Sequence, residues 1–317
     1  MKLPRKISLI ASGSAMLFAL PACAQTQSLP APVESVNVPA AEMELGNATS
    51  AGPALWKVAD EDTTIYLFGT VHALPDDIDW YSGEVKTAIE ASDTLVTEID
   101  LTPEALAAMP AVVTGMAVYT DGTTLRGVMD DDQRAVFETS MTKLGLPVGA
   151  LDQYEPWFAA FNLVQVALAN AGISPAAGTE FVLEAKVGPD VERAALETIE
   201  YQFGIFDSLP LEAQLEFLLE GAAEVDSLAP ILQEIIDLWA VGNIDAVADL
   251  MNRAFEEEPD LAKALLFDRN MDWAEWIDTR LDTPGTVFMA VGAGHLAGDK
   301  SVQEFLAGKG IQSSRVQ

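Results

Sequence analysis

The sequence predicts an α/β fold: a central mixed β-sheet flanked by helices, with a mostly helical middle segment. Short β-prone runs lie near both ends of the predicted domain, and helical apolar patterns fill the region between them. A strand followed by a Gly-x-x-His sequence occurs once in each end, as GTVH (residues 69–72) and GAGH (residues 292–295). Because such segments leave a sheet at the carboxyl ends of its strands, we expect both at one sheet edge.

The first 24 residues predict a secretory signal peptide. Lys2, Arg5 and Lys6 precede an apolar run, which is followed by small residues. Cleavage after Ala24 would release an exported, periplasmic product. The alternative is a lipoprotein box in which Cys23 is acylated, and this lipid is the one membrane attachment we expect.

Residues 25–53 are rich in Pro, Ala, Ser and Val without strand or helix periodicity, which predicts a flexible linker. Residues 54–317 then form the predicted folded domain. Cys23 is the only cysteine, which excludes an intramolecular disulfide, a cysteine nucleophile and cysteine-ligated zinc.

The charge of the chain limits its partners. It has 49 acidic and 17 basic residues, with a formal net charge of −32. Such a surface repels nucleic acid and anionic lipid headgroups, so we expect no nucleic-acid partner. It does attract divalent cations and cationic substrates. The composition leaves the oligomeric state open.

The predicted strands follow from short β-prone runs. Residues 54–58 and 64–68 flank a polar stretch and predict a hairpin, and a buried type of strand at 94–99 follows the first helix. A short strand is expected at 191–196, another at 286–291, and an edge strand at the C-terminus.

The predicted helices follow from apolar periodicity and their starting residues. An acidic cluster precedes residue 131, Pro156 occupies a favoured first-turn position, and Thr179 is expected to cap a helix. The predicted helices cover residues 84–91, 131–144, 156–171, 179–187, 210–223, 228–241, 244–255, 260–281 and 301–307.

The two histidines of the chain, His72 and His295, are the first candidate catalytic residues. Each follows an apolar strand, and Gly69 and Gly292 let the backbone leave that strand with positive φ or with a close backbone approach. A single loop histidine is usually a hydrogen-bonded bystander. Two histidines in the same context, with no others in the chain, favour a shared site.

Glu98 and Arg269 are the next candidates. Glu98 shares a strand face with Thr94 and Val96, where a buried carboxylate needs a partner; the alternative is that it reaches solvent. Arg269 lies in a core-facing helical stripe with Trp273 and needs an anion. Its alternative role is a structural salt bridge or stacking on Trp273.

Four further residues are candidates for substrate binding. Glu197 follows the predicted middle strand, where a helix N-cap role is the alternative, and Asn270 flanks the stripe that carries Arg269. Gly69 and Gly292 complete this set. The sequence has no G-x-S-x-G, H-E-x-x-H, Walker A or G-x-G-x-x-G motif, which disfavours serine-elbow hydrolases, standard zincins and nucleotide-binding enzymes.

Five ordered blocks resemble the TraB/GumN family, which is related to PrgY and the Tiki proteins. They span roughly residues 55–311 and read LWKVADEDTTIYLFGTVHALP, TLVTEID, ALETIEYQFGIFDSLP, LLFDRNMDWAEWI and VFMAVGAGHLAGDKSVQEFLAGKGI. The resemblance implies an erythromycin-esterase/ChaN-like α/β fold. It also implies that His72, Glu98, Arg269 and His295 are the site residues.

Two functions follow from the resemblance, and a third is kept as an alternative from a different class. By similarity to Tiki proteins, a divalent metal ion on His72, Glu98 and His295 would activate water to cleave a peptide or amide bond, with Arg269 steadying negative charge. By similarity to erythromycin esterases, a histidine base would act on a peptide or small-molecule substrate without metal. The third is a non-catalytic envelope protein that sequesters a peptide, a metal or haem.

Overall fold

A six-stranded mixed sheet forms the centre of the protein, as predicted. The computed structural model describes residues 52–255 and 259–317, without the side chains of residues 252–255, so the predicted signal peptide, Cys23 and nearly all of the predicted linker lie outside the described residues. The strand order is β4-β3-β5-β2-β1-β6. The strands are β1 Leu55–Ala59, β2 Thr63–Thr70, β3 Thr94–Thr97, β4 Glu192–Ala195, β5 Gly285–Gly292 and β6 Ser313–Arg315.

The register brings the ends of the four parallel strands to one edge. Strand β5 pairs in parallel with β2 and with β3, and β3 pairs in parallel with β4. Thr70 lies opposite Gly292, and Thr97 lies opposite both Ala290 and Ala195. The segments that carry His72, Glu98, Glu197 and His295 therefore leave the sheet side by side, which confirms the shared edge.

Helices surround this sheet. They are α1 Gly83–Glu90, α2 Pro103–Ala117, α3 Asp131–Lys143, α4 Pro156–Asn170, α5 Thr179–Lys186, α6 Ile199–Asp207, α7 Leu211–Ala223, α8 Leu228–Ala240, α9 Ile244–Phe255, α10 Pro259–Ala262, α11 Asp268–Leu281 and α12 Val302–Gly308.

Most predicted helices are confirmed, with four differences. Helix α6 was not among the predicted helices. Helix α2 was not predicted, because its run of Ala, Met and Val with an internal Pro110 lacks a clear polar face. The single helix expected at 260–281 is interrupted by a π-helical segment, Lys263–Phe267. Gly178, not Thr179, is the N-cap of α5, and the Thr179 hydroxyl instead bonds the backbone of Val71.

Each face of the sheet carries its own apolar core. Phe68, Leu95 and Phe288 face the larger core, which includes Trp157 and Trp239 from the helical middle of the chain. The alternate strand residues face the smaller core beneath α11 and α12, among them Val96, Val287, Met289 and Val291. This alternation, with apolar residues on both faces, is typical of central parallel strands. Within the described ranges, no helix is both long and apolar enough to cross a membrane.

Candidate functional site

His72 follows β2 in a segment that is hydrogen-bonded to the start of helix α5. Val71 N donates to Thr179 Oγ1 at 3.1 Å, and Thr179 N donates to Val71 O at 3.0 Å. Leu74 and Ser174 exchange a further pair of backbone hydrogen bonds. These bonds across about a hundred residues of sequence fix the backbone on both sides of His72.

The same junction brings Glu180 to His72. The Glu180 carboxylate contacts Nδ1 of His72, and the two residues are 4% and 2% exposed. Burial lowers the pKa of His72, but the charge and hydrogen bond of Glu180 outweigh burial, so the pKa is raised above 6.5. Burial raises the pKa of Glu180, which His72 reverses to a net lowering. His72 therefore gains and loses its proton at a raised pKa, and the Glu180 carboxylate beside it stays ionised.

Arg269 uses every one of its N–H groups inside the protein. Nε and Nη2 donate to the two oxygens of Glu197 at 2.7 and 2.9 Å, and Nη2 also donates to Glu98 Oε2 at 2.6 Å. Nη1 donates to Leu265 O at 2.9 Å and to His295 Nε2 at 3.1 Å. Since a guanidinium has five N–H donors, none is left to contact a substrate in this arrangement. Both alternative roles predicted for Arg269 also hold. It forms buried salt bridges with Glu98 and Glu197, and its guanidinium lies 4.8 Å from the Trp273 ring centroid.

One of these bonds ends on the π-helical segment Lys263–Phe267, which contains Leu265. In a regular helix the carbonyl of Leu265 accepts from the backbone N–H of residue 269. The wider π-helical turn directly before Arg269 disturbs that ladder, and Leu265 O accepts from the Arg269 side chain. The interruption of the predicted helix thus lies where the buried guanidinium needs an acceptor.

His295 is held as a neutral ring. Nδ1 donates to Asn270 Oδ1 at 2.6 Å, while Asn270 Nδ2 donates to Lys300 O at 2.8 Å, which fixes the amide orientation. Nε2 accepts from Arg269, as described above. Burial and the Arg269 charge lower the pKa of His295 to about 3. His295 therefore orients Arg269 and is a poor proton acceptor at neutral pH.

Glu98 is a buried, ionised acceptor at the centre of the site, not a residue that reaches solvent. Its Oε2 accepts from Arg269 and from Gln202 Nε2 at 2.8 Å, and its Oε1 accepts from Gly292 N at 2.7 Å. Burial raises its pKa, but Arg269, the two histidines and the Gly292 N–H produce a net lowering. Glu98 is 3% exposed, so these contacts replace water entirely.

Glu197 lies outside the helix cap that was its alternative role. Thr198 is the N-cap of α6, and its hydroxyl accepts from Tyr201 N. Glu197 instead accepts hydrogen bonds from Arg269 with both carboxylate oxygens and one from Trp273 Nε1 at 3.0 Å. Burial raises its pKa, with Arg269 acting in the opposite direction.

The two glycines act through close approach. Neither has a positive φ; Gly69 and Gly292 lie at the ends of β2 and β5. A Cβ on Gly69 would lie 3.1 Å from Ala293 Cα, so the two Gly-x-x-His motifs touch there. A Cβ on Gly292 would lie 3.2 Å from Glu98 Oε1 and 3.5 Å from His72 Nε2. The point above Gly292 is therefore where Glu98 Oε1 and His72 Nε2 converge.

The ligand set expected for a divalent metal ion does not fit as these side chains are placed. Nε2 of His295 and Oε2 of Glu98 both bond the Arg269 guanidinium, which is itself a cation. Across the described residues, no group of three or more His, Cys, Asp and Glu side chains has an arrangement that could hold an ion. The metal role stays a prediction, and no step of the reaction proposed below for His72 uses a metal ion.

Sequence reasoning found most of this network but missed Glu180. His72, Glu98, Arg269, His295, Glu197, Asn270, Gly69 and Gly292 all lie in one connected site. Glu180 is separated from His72 by more than a hundred residues, and no motif joins them. The one available signal was an acidic residue in the first turn of a helix, which usually only complements the helix dipole.

Comparison with known proteins gives the family of the chain. Neither the curated proteins nor the solved structures gave a match. A family model, described as the TraB/PrgY/gumN family, matches residues 54–315, which cover all six strands and both Gly-x-x-His motifs. The chain therefore belongs to the TraB/PrgY/gumN family.

Proposed function

We propose that this chain is an exported hydrolase that cleaves peptide or amide bonds, with His72 as the group that moves the proton of the attacking water. The observation that carries the proposal is the placement of His72. Its Nδ1 contacts Glu180, and its Nε2 lies 3.5 Å from the point above Gly292 that is 3.2 Å from Glu98 Oε1. One carboxylate, that of Glu180, contacts Nδ1, and a second, that of Glu98, lies near the point that Nε2 faces. This arrangement suits general acid–base catalysis.

The proposed reaction begins with neutral His72. Its Nε2 takes a proton from water as the water oxygen attacks the carbonyl carbon of the substrate. The Glu180 carboxylate stabilises the imidazolium that forms. The C–N bond then breaks, and the imidazolium returns its proton to the leaving nitrogen. Glu98, ionised in this site, orients the water through Oε1.

Arg269 and His295 are positioning residues in this scheme. Arg269 holds Glu98 and Glu197 in place, and His295 fixes Arg269 through Nε2. Because both nitrogens of His295 are hydrogen-bonded and its pKa is about 3, it takes no proton from water at neutral pH. The two histidines therefore have different roles despite their matching sequence contexts.

Gln202 supports an amide rather than an ester substrate. Its Nε2 donates to Glu98, so its other amide atom, Oε1, is a fixed acceptor beside the site. This oxygen is buried and has no hydrogen-bond partner within the described part of the chain. An unsatisfied buried acceptor costs about 1–3 kcal/mol. The N–H of a bound amide substrate would satisfy it, whereas an ester has no such donor.

A metal-dependent hydrolase of the same bonds is the second candidate. The convergence of His72 Nε2 and Glu98 Oε1 above Gly292 favours it. His72, Glu98 and His295 would hold the ion, which would supply an activated water, provided that Arg269 releases two of these ligands. Its distinguishing property is dependence on a bound ion.

Assays of peptide and amide substrates beside matched esters test the proposal. We expect the wild-type chain to hydrolyse amides, with or without chelator, and the His72→Gln variant to lose about 10²-fold or more in rate. Glu184→Gln is the control, since Glu184 lies on the same helix but pairs with Arg193 away from the site. Activity that follows metal content selects the second candidate. A folded wild-type chain that binds peptide, metal or haem without hydrolysis contradicts both and favours a sequestering protein.

Export is part of the proposal because of the first 24 residues. Mass spectrometry of the mature N-terminus distinguishes cleavage after Ala24 from acylated Cys23. A product in the cell envelope that begins at residue 25 supports a soluble periplasmic protein. Retention of Met1 with no export contradicts it.

A further inference from the structure

Gly178 lies between the two sets of hydrogen bonds that join the segment after β2 to the segment that leads into α5. Leu74 and Ser174 exchange two backbone bonds in one set, and Val71 and Thr179 form the other. Both segments are therefore held at each end of the space that Gly178 occupies.

The backbone of His72 fills this space. A Cβ on Gly178 would overlap the carbonyl oxygen of His72, and it would lie 2.7 Å from the carbonyl carbon of His72 and 2.8 Å from Pro175 O. Real Cβ atoms do not come within 3.0 Å of such atoms. Because all of these neighbours are backbone atoms, no side-chain rotation relieves the overlap. Any side chain at position 178 would push the two segments apart.

The backbone conformation of Gly178 does not itself require glycine. Its φ of −56° and ψ of 147° are angles that other residues adopt readily. The missing side chain therefore serves close approach alone. It lets the start of α5 lie against the main chain of His72.

This close approach places Glu180 beside His72. Glu180 lies two residues after Gly178, in the first turn of α5, and its carboxylate contacts Nδ1 of His72. Thr179 holds the same turn, since its hydroxyl accepts from Val71 N at 3.1 Å and lies 3.2 Å from Glu180 Oε2. Thr179 and Glu180 are both buried, so water does not replace these contacts. A larger separation at Gly178 would move this first turn, and the carboxylate with it.

We propose that Gly178 and Thr179 are positioning residues for His72: the bare backbone at Gly178 lets α5 approach, and the Thr179 hydroxyl holds it there. This role rests on the proposed hydrolysis, in which His72 moves the proton of the attacking water. A displacement of about 1 Å would carry Nε2 of His72 away from the point above Gly292, and misplacement of that size lowers rates by about 10²-fold.

The ring N–H signals in a proton NMR spectrum test this positioning without a substrate. A ring N–H that donates a short, strong hydrogen bond gives a signal at low field. His72 faces Glu180 and His295 donates to Asn270, so each ring should give one such signal, assigned with His72→Gln and His295→Gln. In Gly178→Ala we expect the His72 signal to move upfield or to be lost through exchange with water, while the His295 signal stays.

Kinetics give the second readout. Gly178 contacts the backbone of His72 and not the point above Gly292, so Gly178→Ala should lower kcat by about 10²-fold and leave KM close to the wild-type value. Gly188→Ala, just beyond the other end of α5, is the matched control. Gly188 has no positive φ and a Cβ there meets no atom within 4 Å, so its NMR signals and rate should be those of the wild type.

Two variants of Thr179 keep the test valid if Gly178→Ala does not fold. Thr179→Val keeps the shape of the side chain but leaves Val71 N without its acceptor, so it should weaken the His72 signal and lower kcat. Thr179→Ser keeps the hydroxyl and should keep both.

A folded Gly178→Ala or Thr179→Val variant with the wild-type His72 signal would overturn the proposal. Equal loss of the His72 and His295 signals would also overturn it, because that result means a general loosening of the site. A displaced His72 signal in a chain that hydrolyses nothing would reject the hydrolase and keep the placement of His72 by Gly178 and Thr179.

Discussion

Arg269 donates a hydrogen bond from Nη1 to Nε2 of His295 at 3.1 Å, and this contact gives the two histidines different chemistry. The ring of His295 is occupied at both nitrogens, by Arg269 and by Asn270. His72 instead faces the Glu180 carboxylate. A pair of motifs that look equivalent in the sequence thus consists of one proton-transfer candidate and one positioning residue.

Replacing Arg269 should destabilise the fold. Arg269→Lys cannot satisfy Glu98, Glu197, Leu265 O and His295 together, so buried carboxylates lose their partner. We expect a loss of about 3–5 kcal/mol in the free energy of unfolding, measured by urea denaturation. Arg280→Lys on the same helix is the control, since Arg280 is half-exposed and should cost little. Equal costs would contradict the buried network.

Neutralising Glu180 should move the pH dependence of hydrolysis. Glu180→Gln keeps a hydrogen-bond acceptor but removes the charge that raises the pKa of His72. The base form of His72 then appears at lower pH, so the rising limb of kcat/KM against pH should shift downward while the maximum rate falls. Glu184→Gln should leave the profile in place. An unshifted profile for Glu180→Gln would show that Glu180 does not tune His72.

Gly292→Ala should separate activity from stability. Gly292 has φ −48°, which alanine adopts readily, but the added methyl group would occupy the point between Glu98 Oε1 and His72 Nε2. We expect the free energy of unfolding to fall by about 1–3 kcal/mol, which leaves the chain folded, while hydrolysis is lost. Gly204→Ala, which meets no atom within 4 Å, should retain activity. An active Gly292→Ala variant would place the reaction elsewhere.

His295 should make stability depend on acidity. Its pKa is about 3 in the folded chain against an ordinary 6.5, so the unfolded chain binds the extra proton between these values. The contribution is present above pH 6.5 and is lost as pH falls, at up to about 1.4 kcal/mol per pH unit. His295→Gln should remove this part of the slope of the unfolding free energy against pH. The pKa of His72 is shifted in the opposite direction, so His72→Gln should leave that slope in place; a wild-type slope in His295→Gln would contradict the lowered pKa.

Local sequence patterns predicted the sheet and the gathering of the site because both follow from strand order. Apolar runs mark β2, β3 and β5, and parallel strands bring the segments after them to one edge. His72, Glu98, Glu197 and His295 were found in this way. Gly69 and Gly292 were found too, and of the two roles predicted for them, positive φ and close approach, the structure has close approach.

The partners of these residues could not be predicted from local patterns. Glu180 reaches His72 because α5 is hydrogen-bonded to the segment after β2. This is a tertiary contact, and no characteristic spacing in the sequence indicates it. One acceptor of Arg269, the carbonyl of Leu265, lies in the π-helical turn Lys263–Phe267, and helical periodicity does not show such a turn. The sequence therefore predicted which residues meet, and the structure shows how their hydrogen bonds divide the roles.

The most direct measurement is an NMR titration of the two imidazole rings, assigned with His72→Gln and His295→Gln. We expect His72 to titrate with a pKa above 6.5 and His295 to remain neutral, protonated at Nδ1, until the pH approaches about 3 or the chain unfolds. Two rings that titrate together near 6.5, or a His295 ring protonated at Nε2, would contradict the division of roles between them.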